Sequence, residues 1–275
     1  MTVFATSWKP SNNLNKLGKI MKLNEVKAVI TGGVSGLGLA CARKIISDGG
    51  QVALFDINKD AAVSILEELG SRASFYQTDV SNENNVEQSC QQANEKMEGI
   101  NVAINCAGVL SAGRVLGREA PMATDYFSKA IMINLIGSFN ISKTVANIMQ
   151  NNQGDSDSQR GVIINTASVA AYEGQIGQAA YSASKAGIIG MTLPMAREFT
   201  RIGVRVMTIA PGVFMTPMVS GMPDNVKEAL AAGVPFPSRL GNPAEFAYTA
   251  AHIIQNTYLN GSVIRLDGAI RLQPK

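Results

Sequence analysis

Short apolar runs alternate with longer amphipathic stretches along most of the chain. Seven short runs are nearly continuous in Val, Ile and Ala, and they lie at 27–32, 51–56, 73–79, 102–108, 161–168, 204–212 and 262–268. Continuous rather than alternating apolar residues are typical of strands covered on both faces. Stretches such as LGLACARKIIS and VEQSCQQANEKM between them have a helical pattern. The pattern predicts an α/β fold with a doubly wound, parallel, seven-stranded sheet in a single domain, residues 22–275.

Three segments interrupt or precede this pattern. Residues 150–161 are polar and predict a solvated loop, whereas residues 211–241 are rich in Pro, Gly and Met and follow a strand end. Long connections at strand ends often cover ligands in α/β proteins, so 211–241 is predicted to be a lid, with an irregular surface connection as the alternative. Residues 1–21 are expected to form an N-terminal extension. They contain lysines and no acid before Met21, which leaves a transit peptide or a non-catalytic extension open.

Composition and charge exclude several classes of protein. The net charge is +3 and no Lys/Arg run is present, which argues against nucleic-acid binding. No apolar run reaches the roughly 18 residues of a membrane span. The three cysteines contain no CxxC pair, which predicts a reducing compartment and no metal site. Because His252 is the single histidine, acid–base chemistry is expected to use Tyr, Lys, Asp or Glu.

A glycine-rich loop, TGGVSGLG at 31–38, joins the first predicted strand to the first helix. Glycines allow the backbone to approach a pyrophosphate, and a helix N-terminus offers free N–H groups and a positive dipole end. This arrangement predicts a Rossmann-type dinucleotide site. Its expected cofactor-binding residues are Gly32, Ser35, Gly36, Leu37 and Gly38.

The ends of the next strands supply further candidate cofactor contacts. Asp56 ends the second strand, where a carboxylate can bind the adenine ribose hydroxyls and repel a 2′-phosphate, so NAD is predicted rather than NADP. A helix N-cap role for Asp56 is compatible with this one. Cys106 has no basic partner nearby in sequence and is interpreted as a small packing residue. The remaining contacts are expected from Asp79, Val80, Asn105, Cys106, Ala107 and Gly108.

Two tyrosines, Tyr172 and Tyr181, follow the fifth predicted strand, and only Tyr181 has a lysine four residues later. On a helix, Tyr181 and Lys185 share one face. A neighbouring ammonium stabilises a phenolate and is expected to lower the Tyr181 pKa, which suits proton exchange with an alcohol or a carbonyl. Ser168, at the end of the preceding strand, is placed to hold the same oxygen. Tyr172 is interpreted as a wall or packing residue.

These motifs together resemble the short-chain dehydrogenase/reductase family over about residues 22 to 270. The matching features are TGGVSGLG, Asp56, NCAG, INLIGSFN, Ser168, YSASK and Pro211-Gly212. The resemblance implies an NAD-dependent oxidoreductase with hydride transfer and a catalytic set of Asn134, Ser168, Tyr181 and Lys185. In that family pattern, Asn134 bends a helix and holds a water that links Lys185 to solvent.

Within that family, RGVIINTASVAAYEGQIGQAAYSASKAG, GMTLPMAR and IRLDGAI are similar to the type-2 3-hydroxyacyl-CoA dehydrogenases. This resemblance implies a homotetramer acting on 3-hydroxyacyl-CoA. An NAD-dependent hydroxysteroid or other secondary-alcohol dehydrogenase is the alternative, and a non-catalytic nucleotide-binding scaffold is a remote one. A cytoplasmic location is favoured, with the mitochondrial matrix as the alternative.

The substrate side of the site follows from the same interpretation. Arg114 and Arg118 are either CoA phosphate contacts or simply solvated. Gln178 is expected to orient the substrate oxygen with Ser168 and Tyr181. The lid contains Met215, Met218 and Met222. Beneath it, the nicotinamide is expected to contact Pro211, Gly212, Phe214 and Thr216.

Overall fold

The computed structural model describes residues 21–274, except for the side chain of Met218, and a seven-stranded parallel sheet lies at its centre. The N-terminal extension predicted for 1–21 therefore falls almost wholly outside the described residues. The strands lie in the order β3-β2-β1-β4-β5-β6-β7, and each neighbouring pair is parallel. They are β1 (Lys27–Thr31), β2 (Gln51–Asp56), β3 (Ala73–Gln77), β4 (Val102–Asn105), β5 (Gly161–Thr166), β6 (Val204–Pro211) and β7 (Val263–Leu266). The predicted fold class is confirmed.

Helices cover both faces of the sheet. Helices α1 and α10 pack on one face, and α3, α5 and α7 pack on the other. No helix in the part of the chain described here is long and apolar enough to cross a bilayer. The helices are α1 (Gly36–Ser47), α2 (Lys59–Leu69), α3 (Glu83–Met97), α4 (Thr124–Ala130), α5 (Gly137–Met149), α6 (Ala170–Glu173), α7 (Ala179–Phe199), α8 (Pro217–Ser220), α9 (Asp224–Ala232) and α10 (Pro243–Gln255), with a π-helical segment, Ile131–Ile136, between α4 and α5.

This covering on both faces explains the continuous apolar runs of the sequence. Successive residues of a strand point to opposite faces, and here both faces are buried. In β1, Ile30 packs into the cluster beneath α1 and α10, whereas Val29 packs into the cluster beneath α3, α5 and α7. Both side chains are completely buried. An alternating pattern would have placed polar groups in one of these two cores.

The carboxyl ends of the central strands form the edge at which a site can be built. The strand order reverses between β1 and β4, which are the starting points of the two halves of the sheet. At this edge Thr31 pairs with Asn105, and Asn105 pairs with Asn165 of β5, so three polar residues share one row. In open α/β sheets, ligands bind in the crevice at such a reversal. The fold thus predicts a ligand site above β1, β4 and β5.

Both segments that interrupt the pattern, 150–161 and 211–241, have more structure than the sequence predicted. The segment 211–241 contains α8 and α9. The connection 150–161 is not fully solvated, because Gln159 is buried and its Oε1 accepts a 2.6 Å hydrogen bond from Arg205. The guanidinium of Arg205 also donates to the carbonyls of Ile253, Ile254 and Leu259, at and beyond the end of α10. Burial lowers the pKa of Arg205 to about 10.

Arg205→Gln is expected to lower the free energy of unfolding by about 2–4 kcal/mol, because three backbone carbonyls and Gln159 lose their buried donor. Urea unfolding followed by circular dichroism measures the change. The control is Arg43→Gln, which removes an exposed pair with Glu68 and should cost less than about 1 kcal/mol. Equal losses in the two variants would contradict a stabilising role for Arg205.

Candidate active site

A cavity of about 830 Å³ lies along the carboxyl edge of the sheet. It runs from the glycine-rich loop and the end of β2, past the end of β4, to the start of α7 and the segment 211–241. Thus the cavity occupies the crevice that the strand order predicts. Its only cationic side chains, among the residues described, are Lys129 and Lys185, and its acidic ones are Asp56 and Asp79.

The glycine-rich loop makes a tight turn between β1 and α1. Gly32 has a φ of +62°, which strains residues that carry a Cβ. A Cβ on Gly38 would lie 2.3 Å from the carbonyl oxygen of Gly32, so the start of α1 packs directly on the backbone of the turn. The N–H groups of the first helical turn have no partner within the helix. This cradle suits the diphosphate of a dinucleotide, as the sequence predicted.

Asp56 lies at the carboxyl end of β2 and lines the cavity. Its Oδ1 accepts a 3.0 Å hydrogen bond from the N–H of Asn58, and its Oδ2 lies 3.5 Å from the N–H of Val34 in the glycine-rich loop. The carboxylate therefore stabilises the turn into α2 and also lines the cavity. The N-cap of α2 is Asn58, whose Oδ1 accepts a 3.0 Å bond from the N–H of Ala61, so the N-cap role expected of Asp56 is wrong. Its ribose-binding role stays a prediction.

The loop after β4 is held by a residue that the sequence did not single out. The hydroxyl of Thr31 accepts hydrogen bonds of 3.0 Å from the N–H groups of both Cys106 and Ala107. The predicted cofactor contact Asn105 lies differently, because its Nδ2 donates to Asn165 at 2.8 Å and to Ser142 at 3.2 Å inside the core. Asn105 is thus a structural residue beneath the cavity and does not line it.

Asn134 lies in the π-helical segment and is completely buried. Its Oδ1 accepts a 2.8 Å bond from the N–H of Val109, and its Nδ2 donates to the carbonyl of Val109 and to the hydroxyl of Ser184. The hydroxyl of Ser184 in turn donates to the carbonyl of Tyr181 at 2.7 Å. Through these bonds Asn134 joins the loop after β4 to α7, and it does so from behind the cavity wall.

Tyr181 and Lys185 lie one turn apart on α7, and both line the cavity together with Ser168. Ser168 lies close enough to Tyr181 for its hydroxyl to lower the pKa of the phenol, and its Oγ accepts a 3.1 Å bond from the N–H of Ala170. The buried ammonium of Lys185 donates a 2.8 Å bond to the carbonyl of Thr166 and lies 5.8 Å from the centre of the Tyr181 ring. The three predicted residues are therefore brought together.

The pKa of Tyr181 differs from the one that the sequence predicted. Burial raises the pKa of Tyr181, and the hydrogen bond from Ser168 acts in the opposite direction without cancelling the rise. The expected lowering of this pKa by Lys185 is not found, because burial dominates the shift and Lys185 is not among its causes. Burial also lowers the pKa of Lys185 to about 8.

Two cysteines that are far apart in sequence meet at this site. Hydrogen bonding to Cys41 lowers the pKa of Cys106, and the hydroxyl of Thr166 and the charge of Lys185 contribute in the same direction. Cys41, on α1, has its pKa raised by the same contact and by burial. Both thiols are free, and the interpretation of Cys106 as a small packing residue stays a prediction.

Most of the predicted contacts do lie around the cavity. Every predicted cofactor residue except Asn105 lines it, as does the substrate candidate Gln178. Met222 lines it as well, Met215 is exposed, and the side chain of Met218 lies outside the described part of the structure. Many lining residues were missed because they carry no motif of their own, among them Ile57, Lys129, Gln175 and Leu272.

Other candidates lie away from the cavity. Arg114 and Arg118 are exposed and do not line it. Tyr172 is half exposed and stacks on the guanidinium of Arg265, 5.1 Å from the ring centre, so it packs outside the site. His252 is exposed on α10 and contacts Asn256. None of these four residues is placed to take part in chemistry at Tyr181.

The chain is similar to known proteins along most of its length. A family model described as short chain dehydrogenase matches residues 26–227. The 3-hydroxyacyl-CoA dehydrogenase type-2 of Bos taurus is 51% identical over 249 residues, which cover 90% of this chain and 95% of that protein. The ipsdienol dehydrogenase of Ips pini is 31% identical over 262 residues, 92% of this chain and 99% of that protein.

A solved structure shares the fold. The crystal structure of 3-hydroxyacyl-CoA dehydrogenase type-2 from Mycobacterium avium superimposes with a TM-score of 0.87 at 39% identity. The match covers 94% of this chain and 100% of the other. The similarity therefore extends over the sheet, the glycine-rich loop and the Tyr181 region together.

Gly38→Ala is expected to weaken NADH binding by about tenfold or more, because the new Cβ collides with the backbone of Gly32 and distorts the cradle. A fluorescence titration with NADH measures the dissociation constant. The control is Gly190→Ala on α7, where a Cβ meets no atom within 4 Å and affinity should stay unchanged. Unchanged affinity in the Gly38 variant would show that the cradle is not the nucleotide site.

Proposed function

The chain belongs to the short-chain dehydrogenase family and is an oxidoreductase, and we propose that it interconverts 3-hydroxyacyl-CoA and 3-ketoacyl-CoA with NAD as cofactor. The observation that carries this proposal is the meeting of Tyr181, Ser168 and Lys185 in the cavity that also contains the glycine-rich loop. Nicotinamide dinucleotide, when bound, supplies the hydride acceptor or donor. The chain supplies orientation and the proton.

Tyr181 is the acid–base group of the proposed reaction. In the reductive direction its phenol gives a proton to the substrate oxygen, and in the oxidative direction it takes the hydroxyl proton. The raised pKa of Tyr181 favours the protonated phenol, which is the form that reduction needs. Ser168 reaches the same phenol and is placed to orient the substrate oxygen with Gln178. The ammonium of Lys185 stabilises negative charge on the phenol oxygen as the proton leaves.

The choice of NAD rests on charge at the adenosine end of the cavity. Asp56 presents a carboxylate there, close to the glycine-rich loop. A 2′-phosphate at this place would meet that negative charge, whereas ribose hydroxyls can donate to it. The only lining cation outside the Tyr181 group, in the described residues, is Lys129 on α4. Asp56 therefore favours NAD over NADP.

The acyl-CoA substrate is supported by the shape of the cavity and by similarity. The segment 211–241 contributes mainly apolar lining residues, including Val213, Val219, Met222 and Leu230. These side chains suit an acyl chain, and they would also suit a steroid. The relatives from Bos taurus and Drosophila melanogaster, 51% and 44% identical, are 3-hydroxyacyl-CoA dehydrogenases type-2. This similarity favours the acyl thioester over the steroid.

Assembly into a homotetramer belongs to the same proposal. Tyr126, Phe127 and Phe139, on α4 and α5, expose 42%, 36% and 44% of their surface. Large apolar side chains exposed on adjoining helices are typical of subunit interfaces. The three widely spaced cysteines contain no CxxC pair, which favours a reducing compartment; the cytoplasm is preferred and the mitochondrial matrix is the alternative.

The test is a panel of oxidation and reduction assays at the NADH absorbance. Acetoacetyl-CoA, a steroid ketone and no substrate are compared with NADH and with NADPH. Turnover of acetoacetyl-CoA with NADH is expected to be the fastest. Activity with the steroid alone would replace the acyl-CoA assignment, and tighter binding of NADPH would contradict the role given to Asp56. Absence of activity with every substrate would favour a non-catalytic nucleotide-binding protein.

Tyr181→Phe is expected to lower kcat by about 10²–10⁴-fold, because the ring remains but the exchangeable proton is lost. The matched control is Tyr172→Phe, which keeps the ring stacked on Arg265 and should leave kcat unchanged. Steady-state kinetics with acetoacetyl-CoA and NADH measure both variants. Near-normal turnover of the Tyr181 variant would refute the mechanism.

The pH dependence of reduction is expected to follow Lys185. Its pKa is lowered to about 8, so the ammonium predominates below this pH and is lost as the pH rises through it. The raised pKa of Tyr181 keeps the phenol protonated over the same range. Hence kcat/KM for ketone reduction should fall as pH rises through about 8. A profile that stays flat to pH 10 would assign the controlling ionisation to another group.

A further inference from the structure

The residues that follow β7 return to the substrate side of the cavity. We call residues 267–274 the C-terminal segment. The side chain of Leu272 lines the cavity, as do Gln175 and Gln178 from the loop between α6 and α7. This segment belongs neither to the glycine-rich loop nor to the motif that contains Ser168, Tyr181 and Lys185. Its position therefore adds a wall that the proposed reaction does not account for.

An ion-pair cluster fixes the start of the C-terminal segment to α6. Arg265 of β7 pairs with Glu173 at the end of α6 and donates from Nε to Asp267 at 2.8 Å. Arg271 adds a 3.2 Å bond to the same carboxylate of Asp267. Only 22% of the Glu173 side chain and 9% of the Asp267 side chain are exposed, so solvent screening of these pairs is reduced.

Hydrogen bonds then connect the C-terminal segment to the predicted substrate contact Gln178. The N–H of Ile176 donates to the carbonyl of Pro274 at 3.0 Å, and Nε2 of Gln175 donates to the carbonyl of Gln273 at 3.0 Å. The N–H of Gln175 donates to Oε1 of Gln178 at 2.9 Å. The position of the Gln178 amide is thus coupled to the segment through Gln175.

The other side of the C-terminal segment contacts the end of the lid segment 211–241. The N–H of Phe236 donates to the carbonyl of Gly268 at 3.2 Å. A Cβ on Gly268 would lie 2.6 Å from a methyl group of Val234 and 3.1 Å from the carbonyl oxygen of Phe236, so the two segments pack closely. The C-terminal segment therefore lies between the lid segment and the loop that carries Gln178, and each of its two neighbours lines the cavity.

We propose that the C-terminal segment determines which substrates the enzyme accepts, with Leu272 bounding the apolar end of the substrate and Glu173 acting as a positioning residue for this wall. The substrate class rests on the proposed function, namely a 3-ketoacyl thioester. Glu173 touches neither substrate nor cofactor. It acts by holding Arg265, and with it the start of the segment that carries Leu272.

The direct test changes the size of residue 272. Leu272→Ala should raise the ratio of kcat/KM for 3-ketodecanoyl-CoA over acetoacetyl-CoA by about tenfold or more, since one methylene in an apolar pocket changes discrimination by about 10–200-fold. Leu272→Phe should lower the same ratio. NADH affinity should stay unchanged in both variants. An unchanged ratio in both would overturn the proposal.

The positioning role is tested by Glu173→Gln, which keeps the size of the side chain and removes its charge. The KM for 3-ketodecanoyl-CoA is expected to rise about fivefold, with little change in kcat or in the KM for NADH. Glu68→Gln is the matched control, because it removes one partner of the exposed Arg43 pair on α1 and α2. A loss of stability without any change in the substrate KM would show that Glu173 is only structural.

Assays of the wild-type protein distinguish failure of the proposed function from failure of the role given to Leu272. If the wild type reduces ketones but no acyl-CoA, the ratio of kcat/KM is measured for a steroid ketone over a small ketone instead. The Leu272 variants then still shift or fail to shift that ratio. The wall can therefore be confirmed or refuted whichever substrate class the panel identifies.

Discussion

The ammonium of Lys185 is buried in a cavity wall that contains few other charges, and a buried ammonium is costly unless acceptors surround it. The acceptor here is the carbonyl of Thr166, the last residue of β5. Because this bond ties α7 to the end of a central strand, it sets the height of the helix above the sheet. Tyr181, one turn earlier on α7, is thereby held beside Ser168, and Asn134 fixes the same helix from behind through Ser184.

The burial of Tyr181 and Lys185 in a wall of low polarity also sets the ionisation of both side chains. Burial raises the pKa of Tyr181 and lowers that of Lys185, so it favours the neutral form of each. The two pKa values, which are similar in water, are therefore driven apart, and Lys185 loses its proton at a lower pH than Tyr181 does. Proton exchange at the phenol then depends on the neighbouring Ser168 hydroxyl and on the nearby ammonium of Lys185. A well-solvated site could not couple the two residues as strongly, because water would screen the charge.

Local patterns were sufficient to predict the sheet and the central chemistry. The seven apolar runs became seven parallel strands, and the spacing of Ser168, Tyr181 and Lys185 placed them together because a strand end and one helical turn have fixed geometry. Long-range contacts were beyond the sequence. Nothing near Leu272 indicated that the end of the chain returns to the cavity, and nothing in β6 indicated that Arg205 caps α10. Asn105 was predicted to contact the cofactor, but its side chain lies in the core beneath the cavity. A motif identifies a position in the sequence and does not give the direction of the side chain.

The hydroxyl of Thr31 carries a constraint on sequence variation. In a buried parallel strand, valine is nearly the same shape as threonine and would pack equally well against the neighbouring strands. Thr31 is nevertheless buried with its oxygen shared between the N–H groups of Cys106 and Ala107. A valine there would leave both amides without their acceptor at the edge of the site. Position 31 therefore tolerates exchange with serine far better than exchange with the residue that strand propensity would favour.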